Sequence, residues 1–440
     1  MAILERLHKK VETAELYEFR SWETPVRFRA GELESAKAIE RTGRALRVIK
    51  NGRLGYSTTT DLEDEESLIE DTLASARFGD PAPFEFAPKA EPAQVECFDP
   101  RVERLEVEQM ISMGEEVVER VKSYNPELHI EVGLNRAVEE VSLRTTSGQE
   151  LRERTTTFTL VVEAQRTEEG DILIVYDELA SRTLREIDHL KLADSLIERL
   201  RWCERLAKVE TTTMPVLFTP RGTLVLLLPL VLGFNGKNVF LGISPLADKL
   251  GEEAFNQRLT LTDDGTFPFA LRSSRFDDEG VPTRKKSLID RGKVRQFLYD
   301  LKTAGLAKKE STGNGFKGGL LGGRDFKNPP GVGPATWTIA GGEKSFSELI
   351  AGLKEGLIVD QVIGLGQGNI ISGEFSNNVA VGFYVRDGEV LGRVKNTMIA
   401  GNVYELLKDR LIELGRKPQW VYGLFKAPPI LVDGVGVVGR

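Results

Sequence analysis

The amino-acid sequence predicts an α+β protein of two domains: residues 1–211 combine strands with long helices, and residues 212–440 are mostly β with a few helices. Three observations predict this class. The chain has 440 residues, 40% of them hydrophobic, which exceeds the size at which a single core usually keeps growing. Stretches of alternating polarity that end at glycine turns are interleaved with stretches of helical period. Polar β-branched residues and two prolines at 209–220 interrupt the pattern and indicate a boundary near residue 212.

The first domain opens with a short helix and continues as strands at 14–60, where apolar and polar positions alternate. Asn51-Gly52 separates two strand-like runs and supplies the positive φ angles of a two-residue hairpin turn. Further along, the same patterns predict helices at 65–77 and 105–123, strands at 129–163 that turn at Ser147-Gly148, and a long helix from about Leu184 to Lys208.

The second domain is richer in strands and glycine. Turns are predicted at Arg291-Gly292 and Asp387-Gly388, and the tail 430–440 has an extended pattern. The most apolar run, Leu224–Leu232, has nine residues including Pro229, whereas about 20 are needed to span a bilayer. We therefore expect this run to be core or the wall of a site, and we expect no membrane partner.

Charge and cysteine content bear on the partners and the cellular compartment of the protein. The 67 acidic and 59 basic residues give a net charge of -8, which repels phosphate backbones and disfavours nucleic-acid binding. The two cysteines are Cys97 and Cys203, and Cys203 lies in an amphipathic pattern typical of a small core residue. Because the N-terminus also lacks a secretory apolar stretch, we expect reduced thiols in a cytoplasmic protein.

Familiar catalytic motifs are missing from the sequence. The three histidines, His8, His129 and His189, are widely separated and none is followed by glutamate, which excludes a short zinc-binding histidine motif. Cys203 and His189 fall on one predicted helix but are separated by roughly 21 Å of helical rise. No G-x-S-x-G elbow occurs, and GLGQGN at 364–369 lacks the lysine of a phosphate-binding loop.

Two acidic segments and one glycine-rich segment remain as candidates. Asp277, Asp278 and Glu279 are consecutive and could bind a hard cation through oxygen. Neighbouring side chains of an extended segment point to opposite faces, which favours a solvated or salt-bridged turn instead. The second acidic segment, 372–376, contains Ser372 and Glu374.

The glycine-rich segment spans 313–342 and begins with Gly313, Asn314 and Gly315. It is interpreted either as a flexible surface loop or as a wall that another backbone approaches closely, because glycine permits tight turns and close contact.

Residues 273–319, SSRFDDEGVPTRKKSLIDRGKVRQFLYDLKTAGLAKKESTGNGFKGG, resemble the signature region of the TldD/PmbA family, in its PmbA (TldE) branch. The segments GGEKSFSELIAGLKEGLIVDQVIG, ISGEFSNNVAVGFYVRDGEV and MIAGNVYELL support the resemblance, which spans nearly the whole chain. It implies a cytosolic metallopeptidase built from two related chains. In that family the TldD-like chain carries zinc on an HExxxH helix and a later cysteine, and the PmbA-like chain lacks these ligands.

This sequence departs from a zinc-binding chain at both places. Where the HExxxH helix would lie, residues 221–238 read RGTLVLLLPLVLGFNGKN, with no histidine, glutamate or cysteine, and no cysteine follows residue 400. The resemblance therefore implies no zinc ligand in this chain and a zinc ion in a TldD-like partner.

The expected role is to help enclose unfolded peptides and to hold them by strand addition for proteolysis, as in peptide-precursor maturation and antitoxin degradation. The residues expected to orient substrate or partner are Asp277, Asp278, Glu279, Gly313, Asn314, Gly315, Ser372 and Glu374. Two alternatives stay open. One is a non-catalytic, chaperone-like peptide-binding homodimer, and the other is a metal-independent hydrolase that uses the carboxylates of residues 277–279.

Overall fold

The computed structural model describes residues 2–168, 170–320, 322–367 and 369–439. The helices in these ranges are α1 (Ala2–Leu7), α2 (Glu65–Ser75), α3 (Pro100–Glu103), α4 (Val107–Tyr124), α5 (His189–Trp202), α6 (Leu224–Gly233), α7 (Gly236–Phe240), α8 (Leu301–Ala307), α9 (Phe346–Ala351) and α10 (Val403–Asp409), with a 3₁₀ turn at Ile370–Ser372.

The strands of the first half are β1 (Thr13–Arg29), β2 (Glu32–Ala36), β3 (Ile39–Lys50), β4 (Arg53–Thr59), β5 (His129–Thr145), β6 (Glu150–Glu168) and β7 (Asp171–Ser181). Those of the second half are β8 (Thr212–Phe218), β9 (Leu261–Asp264), β10 (Lys285–Asp290), β11 (Lys293–Val294), β12 (Gly315–Phe316), β13 (Gly331–Val332), β14 (Trp337–Ile339), β15 (Glu355–Ile363), β16 (Glu374–Arg386), β17 (Glu389–Arg393), β18 (Met398–Asn402), β19 (Leu411–Leu414), β20 (Gln419–Val421), β21 (Phe425–Ala427) and β22 (Ile430–Val438). The α+β class predicted from the sequence is confirmed.

The first half is built on one antiparallel sheet in the order β4-β3-β1-β5-β6-β7, with β2 paired to β1. The hairpin predicted at Asn51-Gly52 is confirmed, because both residues have positive φ (51° and 67°). Asn and Gly tolerate this left-handed conformation, and the turn therefore fixes the register of β3 against β4.

The predicted helix at about 184–208 is shorter, since α5 ends at Trp202. It begins after Asp188, whose side chain accepts a hydrogen bond from the Lys191 N–H. Beyond its end, the Ala207 N–H donates to the Arg393 carbonyl at 2.9 Å. This pairing with the second half draws the backbone out of helical geometry, which a helical period in the sequence does not reveal.

The second half contains a seven-stranded sheet, β15-β8-β22-β18-β16-β17 with β19 beside β22, and a six-stranded sheet, β11-β10-β9-β14-β21-β20. The segment that marks the predicted boundary forms β8, which lies inside the seven-stranded sheet between β15 and β22. The turns predicted at Arg291-Gly292 and Asp387-Gly388 are confirmed by their positive φ angles.

The two halves share one apolar core. Val117 of α4 and Leu196 of α5 belong to the same buried cluster as Phe158 of the first sheet and Phe383 of the seven-stranded sheet. The two helices therefore lie between the sheets. Burial of this kind, at about 25 cal/mol per Å² of apolar surface, favours a fixed arrangement of the halves.

The apolar run 224–232 forms α6, and it is core as expected: Leu226, Leu227 and Leu230 are all buried. Among the described residues, no helix has the length and apolar character needed to cross a membrane.

Candidate functional site

The consecutive acidic residues lie buried at the junction of the two halves. Asp277, Asp278 and Glu279 are 0%, 0% and 1% exposed. The expectation of a solvated turn is therefore wrong, and the alternative of a salt-bridged turn holds. A sequence pattern shows neighbouring charges but not the cations that pack against them, Arg324 from 46 positions away and Arg47 from 232.

Asp277 stabilises the acidic turn through hydrogen bonds from backbone N–H groups. Its carboxylate accepts hydrogen bonds from the N–H groups of Glu279 (3.0 Å), Val281 (2.9 Å) and Gly315 (2.8 Å). Burial, and after it the nearby Glu279 carboxylate, raises the pKa of Asp277 well above its ordinary value. The residue thus ties the acidic turn to the start of the glycine-rich segment.

Asp278 connects that segment to the first half. Its Oδ1 accepts from the Tyr17 hydroxyl (3.0 Å) and pairs with Arg324 Nε (3.0 Å), and its Oδ2 accepts from the Lys317 N–H (2.9 Å). Both oxygens are occupied by groups of this chain. The arrangement gives no support to Asp278 as the base of a metal-independent hydrolase.

Glu279 belongs to a buried ion-pair network with two residues of the first sheet. Its Oε1 accepts from Arg47 Nη1 (2.8 Å) and its Oε2 from the Leu301 N–H (2.6 Å). Arg47 also pairs with Glu15 through Nε (2.8 Å) and Nη2 (2.7 Å). Burial raises the pKa of Glu279 to about 7, although the Arg47 guanidinium opposes the shift.

The cations of this junction could not be predicted from the sequence. Arg47 and Arg324 lie far from the acidic turn in the chain, and no sequence signal joins them to it. Lys286 was visible as part of the basic run that follows the turn. It lies at an inward position of β10 and pairs with Asp263 at 2.9 Å.

Asn314 of the glycine-rich segment is also buried and fully engaged. Its Nδ2 donates to Asp263 (2.9 Å) and to the Gly333 carbonyl (2.9 Å), and its Oδ1 accepts from Lys286 Nζ and the Thr312 hydroxyl (both 2.8 Å). The fold thus brings Asn314 and Gly315 together with the acidic turn. Gly313 directly follows Thr312, which belongs to the same hydrogen-bond network.

Several glycines of segment 313–342, described here without residue 321, are required by contacts within the chain. A Cβ at Gly315 would lie 2.7 Å from Glu279 Cδ, and a Cβ at Gly318 would overlap the Gly323 carbonyl. For the buried start of the segment, the flexible-loop interpretation is therefore wrong. Further along, Gly331 is exposed, and a Cβ there would meet nothing within 4 Å.

Segment 313–342 and the end of α6 enclose a groove of about 310 Å³. Leu232 and Asn235 line one side, and Phe316, Gly331 and Val332 line the other. Asn235 Nδ2 donates to the Val332 carbonyl at 3.3 Å and holds the two walls together. The groove is mostly apolar and is bordered by the short pair β12 and β13, a setting suited to an extended apolar segment.

Ser372 and Glu374 belong to a different part of the second half. Ser372 ends the 3₁₀ turn that packs on α6, and its carbonyl accepts from Asn402 Nδ2 at 3.0 Å. Glu374 opens β16 with an exposed side chain. The GLGQGN stretch at 364–369 contains residue 368, which lies outside the described residues.

The residues of α6 do not fit a zinc ion. The helix presents only Leu, Val, Pro and Gly, none of which offers a side-chain ligand atom. Over the described ranges, no group of three or more His, Cys, Asp or Glu could hold a metal ion. The Tyr404 hydroxyl, from α10, donates to the Pro229 carbonyl of the helix at 3.1 Å.

Family comparison identifies the chain. Residues 211–439 match the model of the PmbA/TldA metallopeptidase C-terminal domain, which is more than half of the protein. The chain belongs to the PmbA/TldD family. Residues 14–77 match the model of metallopeptidase domain 1 of the same family.

Relatives match the chain over much of its length. An uncharacterised protein of Methanocaldococcus jannaschii is 26% identical over 405 residues, covering 89% of each chain. The metalloprotease PmbA of Escherichia coli O157:H7 is 29% identical over 202 residues, which are 44% of this chain and 40% of that protein.

Solved structures agree with the fold over nearly the full chain. A protein of Thermotoga maritima described as a modulator of a DNA gyrase superposes with a TM-score of 0.89, 25% identity and coverage of 99% and 98% of the two chains. TldE of Thermococcus kodakarensis superposes with a TM-score of 0.90 and 23% identity, and covers 100% and 99% of the two chains.

Proposed function

We propose that this chain is the non-zinc-binding subunit of a two-chain peptidase of the PmbA/TldD family. In this proposal it helps enclose unfolded peptides while a TldD-like partner holds the zinc ion. The observation that carries the proposal is the composition of α6: the helix that follows β8 is wholly apolar, whereas the family's zinc-binding chains place their ligands there. A chain without ligands at this helix contributes by binding rather than by activating water.

An exposed apolar surface supports a partner chain. Phe240, Leu241, Ile243 and Leu250, all within the 11 residues 240–250, are each about half exposed. Clustered apolar side chains at a protein surface mark interaction sites, because their exposure to water is unfavourable. We assign this surface, the 240–250 patch, to contact with the TldD-like subunit.

Two features support binding of extended peptides. The groove beside α6 is apolar and bordered by backbone. In addition, β7 pairs only with β6 among the described strands, so it forms an edge of its sheet. Ile172 and Ile174 on this edge are exposed. A peptide that adds as one more strand is held by its backbone, largely irrespective of its sequence.

The decisive experiment separates the chain from its partner. The purified chain, a TldD-like subunit and their mixture are analysed for bound zinc and for cleavage of an unfolded peptide. We expect substoichiometric zinc and no cleavage with the chain alone, and chelator-sensitive cleavage with the mixture. Stoichiometric zinc on the isolated chain, or cleavage by it that a chelator stops, would refute the proposal.

The partner surface has its own test. Leu241→Glu places a charge in the 240–250 patch and should abolish co-elution of the two subunits in size-exclusion chromatography. Phe78→Glu is the matched control, because Phe78 is apolar and 90% exposed but lies outside the patch. If the chain instead binds peptide as a homodimer and no TldD-like subunit co-elutes with it, the chaperone-like alternative is favoured.

A further inference from the structure

A second cavity, of about 250 Å³, lies between the two halves of the chain and is lined by charged groups. We call it the interdomain cavity. Asn135 and Glu139 of β5 line it from the first sheet, Arg182 follows β7, and Arg272 and Phe316 line it from the second half. Since one water occupies about 30 Å³, the space equals that of about eight waters and suits one small organic molecule.

Most ionic groups around the interdomain cavity are paired, and two cations are not. Among the described residues, Arg41 pairs with Glu23, and Arg324 pairs with Asp278. Arg182 and Arg272 form no ion pair in the same ranges. Their guanidinium groups donate only to backbone carbonyls, including those of Ala270 and Thr156 for Arg182 and that of Pro334 for Arg272.

Carbonyl dipoles satisfy hydrogen bonds but do not neutralise charge. Burial accordingly lowers the pKa of Arg272 to about 10 and lowers that of Arg182. Nearby carboxylates, Glu139 for Arg182 and Asp278 for Arg272, oppose these shifts without forming an ion pair. An anion in the cavity could bind both guanidinium groups directly, and a carboxylate matches their planar fork.

Two acceptors on β5 that line the cavity have few donors. The Glu139 carboxylate accepts one long hydrogen bond, from the Thr155 hydroxyl at 3.4 Å, and burial raises its pKa. The Oδ1 atom of Asn135 is buried and has no partner within the described residues. An ammonium group carries three donors and a positive charge, and it would satisfy both acceptors.

We propose that the interdomain cavity binds a small zwitterion, a free α-amino acid or a dipeptide. Its carboxylate would lie between Arg182 and Arg272, and its ammonium group would lie near Glu139 and Asn135. Among the described residues, the two cations without an ion pair, the Glu139 carboxylate with its single long hydrogen bond and the unpartnered Asn135 Oδ1 are the complement of that ligand. The inference stands on these groups alone and holds whether or not the chain has a zinc-carrying partner.

Isothermal titration calorimetry on the full-length chain tests the ligand class. The probes are L-alanine, L-alanyl-L-alanine, propionate and ethylamine, so that each half of the zwitterion is also offered alone. We expect alanine or the dipeptide to bind at least about ten-fold more tightly than propionate or ethylamine. The comparison of alanine with the dipeptide distinguishes an amino acid from a peptide as the ligand.

Variants test the location. Arg272→Gln and Glu139→Gln should each weaken binding by about ten-fold or more, since each removes one charge partner. Arg29→Gln makes the same chemical change at an exposed position of β1 and should leave binding unchanged. Binding of neither alanine nor the dipeptide at millimolar concentration, or binding of propionate as tight as that of alanine, would overturn the proposal. Both outcomes are read on the unmodified chain, so they do not depend on the variants folding.

Discussion

Replacement of Arg47 by methionine tests whether the buried ion-pair network joins the two halves. Arg47 is 2% exposed and pairs with two buried carboxylates, Glu15 from its own sheet and Glu279 from the second half, at 2.7–2.8 Å. Methionine keeps much of the aliphatic volume but leaves both carboxylates without a cation. Breaking a buried pair in this way costs about 3–5 kcal/mol of unfolding free energy.

The destabilisation caused by Arg47→Met should change with pH in one direction. Without Arg47, the Glu279 carboxylate is harder to ionise in the folded state, and its folded-state pKa, already raised to about 7, rises further. A group whose folded pKa is raised stabilises the protein at low pH and loses that contribution as pH rises through the folded pKa. The wild type has largely completed that loss near pH 7, whereas the variant continues to lose stability above it, so the defect of Arg47→Met should grow as pH rises from 7 towards 9.

Urea denaturation followed by tryptophan fluorescence measures the effect, because Trp22 and Trp202 report on the first half and Trp337 and Trp420 on the second. Arg120→Met is the control, since Arg120 pairs with Asp194 at 2.7 Å on the surface and should leave stability close to wild type. If Arg47→Met lowers the unfolding free energy by less than about 1 kcal/mol, and by the same amount at every pH, the buried ion-pair network does not join the two halves.

Three further outcomes follow from buried groups. Burial lowers the pKa of Lys317 to about 8, so the wild type should gain stability relative to Lys317→Met as pH rises from 8 to 10. If the unfolding free energies of the two proteins, measured in urea, change in parallel with pH, the prediction is wrong. Gly315→Ala should lower the unfolding free energy by about 1–3 kcal/mol, because the added Cβ would press on Glu279, whereas Gly331→Ala should leave it unchanged. Equal melting temperatures of the two variants would refute this prediction. Burial raises the pKa of the two cysteine thiols to about 11 and about 12, so a thiol reagent at pH 8 should modify neither until the chain is unfolded; rapid labelling of the native protein would count against that burial.

Much of the fold could be predicted because its signals are local. The hairpin at Asn51-Gly52 and the turns at Arg291-Gly292 and Asp387-Gly388 need positive φ, which Gly, Asn and Asp accept readily, and all three were found. The end of α5 could not be predicted, because a contact with Arg393 in another part of the chain terminates the helical path.

The sequence by itself determined the class of the protein, the core role of the run 224–232 and the lack of side-chain ligands on α6, since these depend on residue type and order alone. Only the tertiary structure decided the environment of the acidic turn. Asp278 meets Tyr17 and Arg324, and Glu279 meets Arg47, through folding that brings together residues dozens to hundreds of positions apart. The energy of a charge depends on the groups that surround it, and only the folded chain supplies those groups. On an isolated segment the three carboxylates would be solvated, whereas in the fold they are buried and connect the two halves.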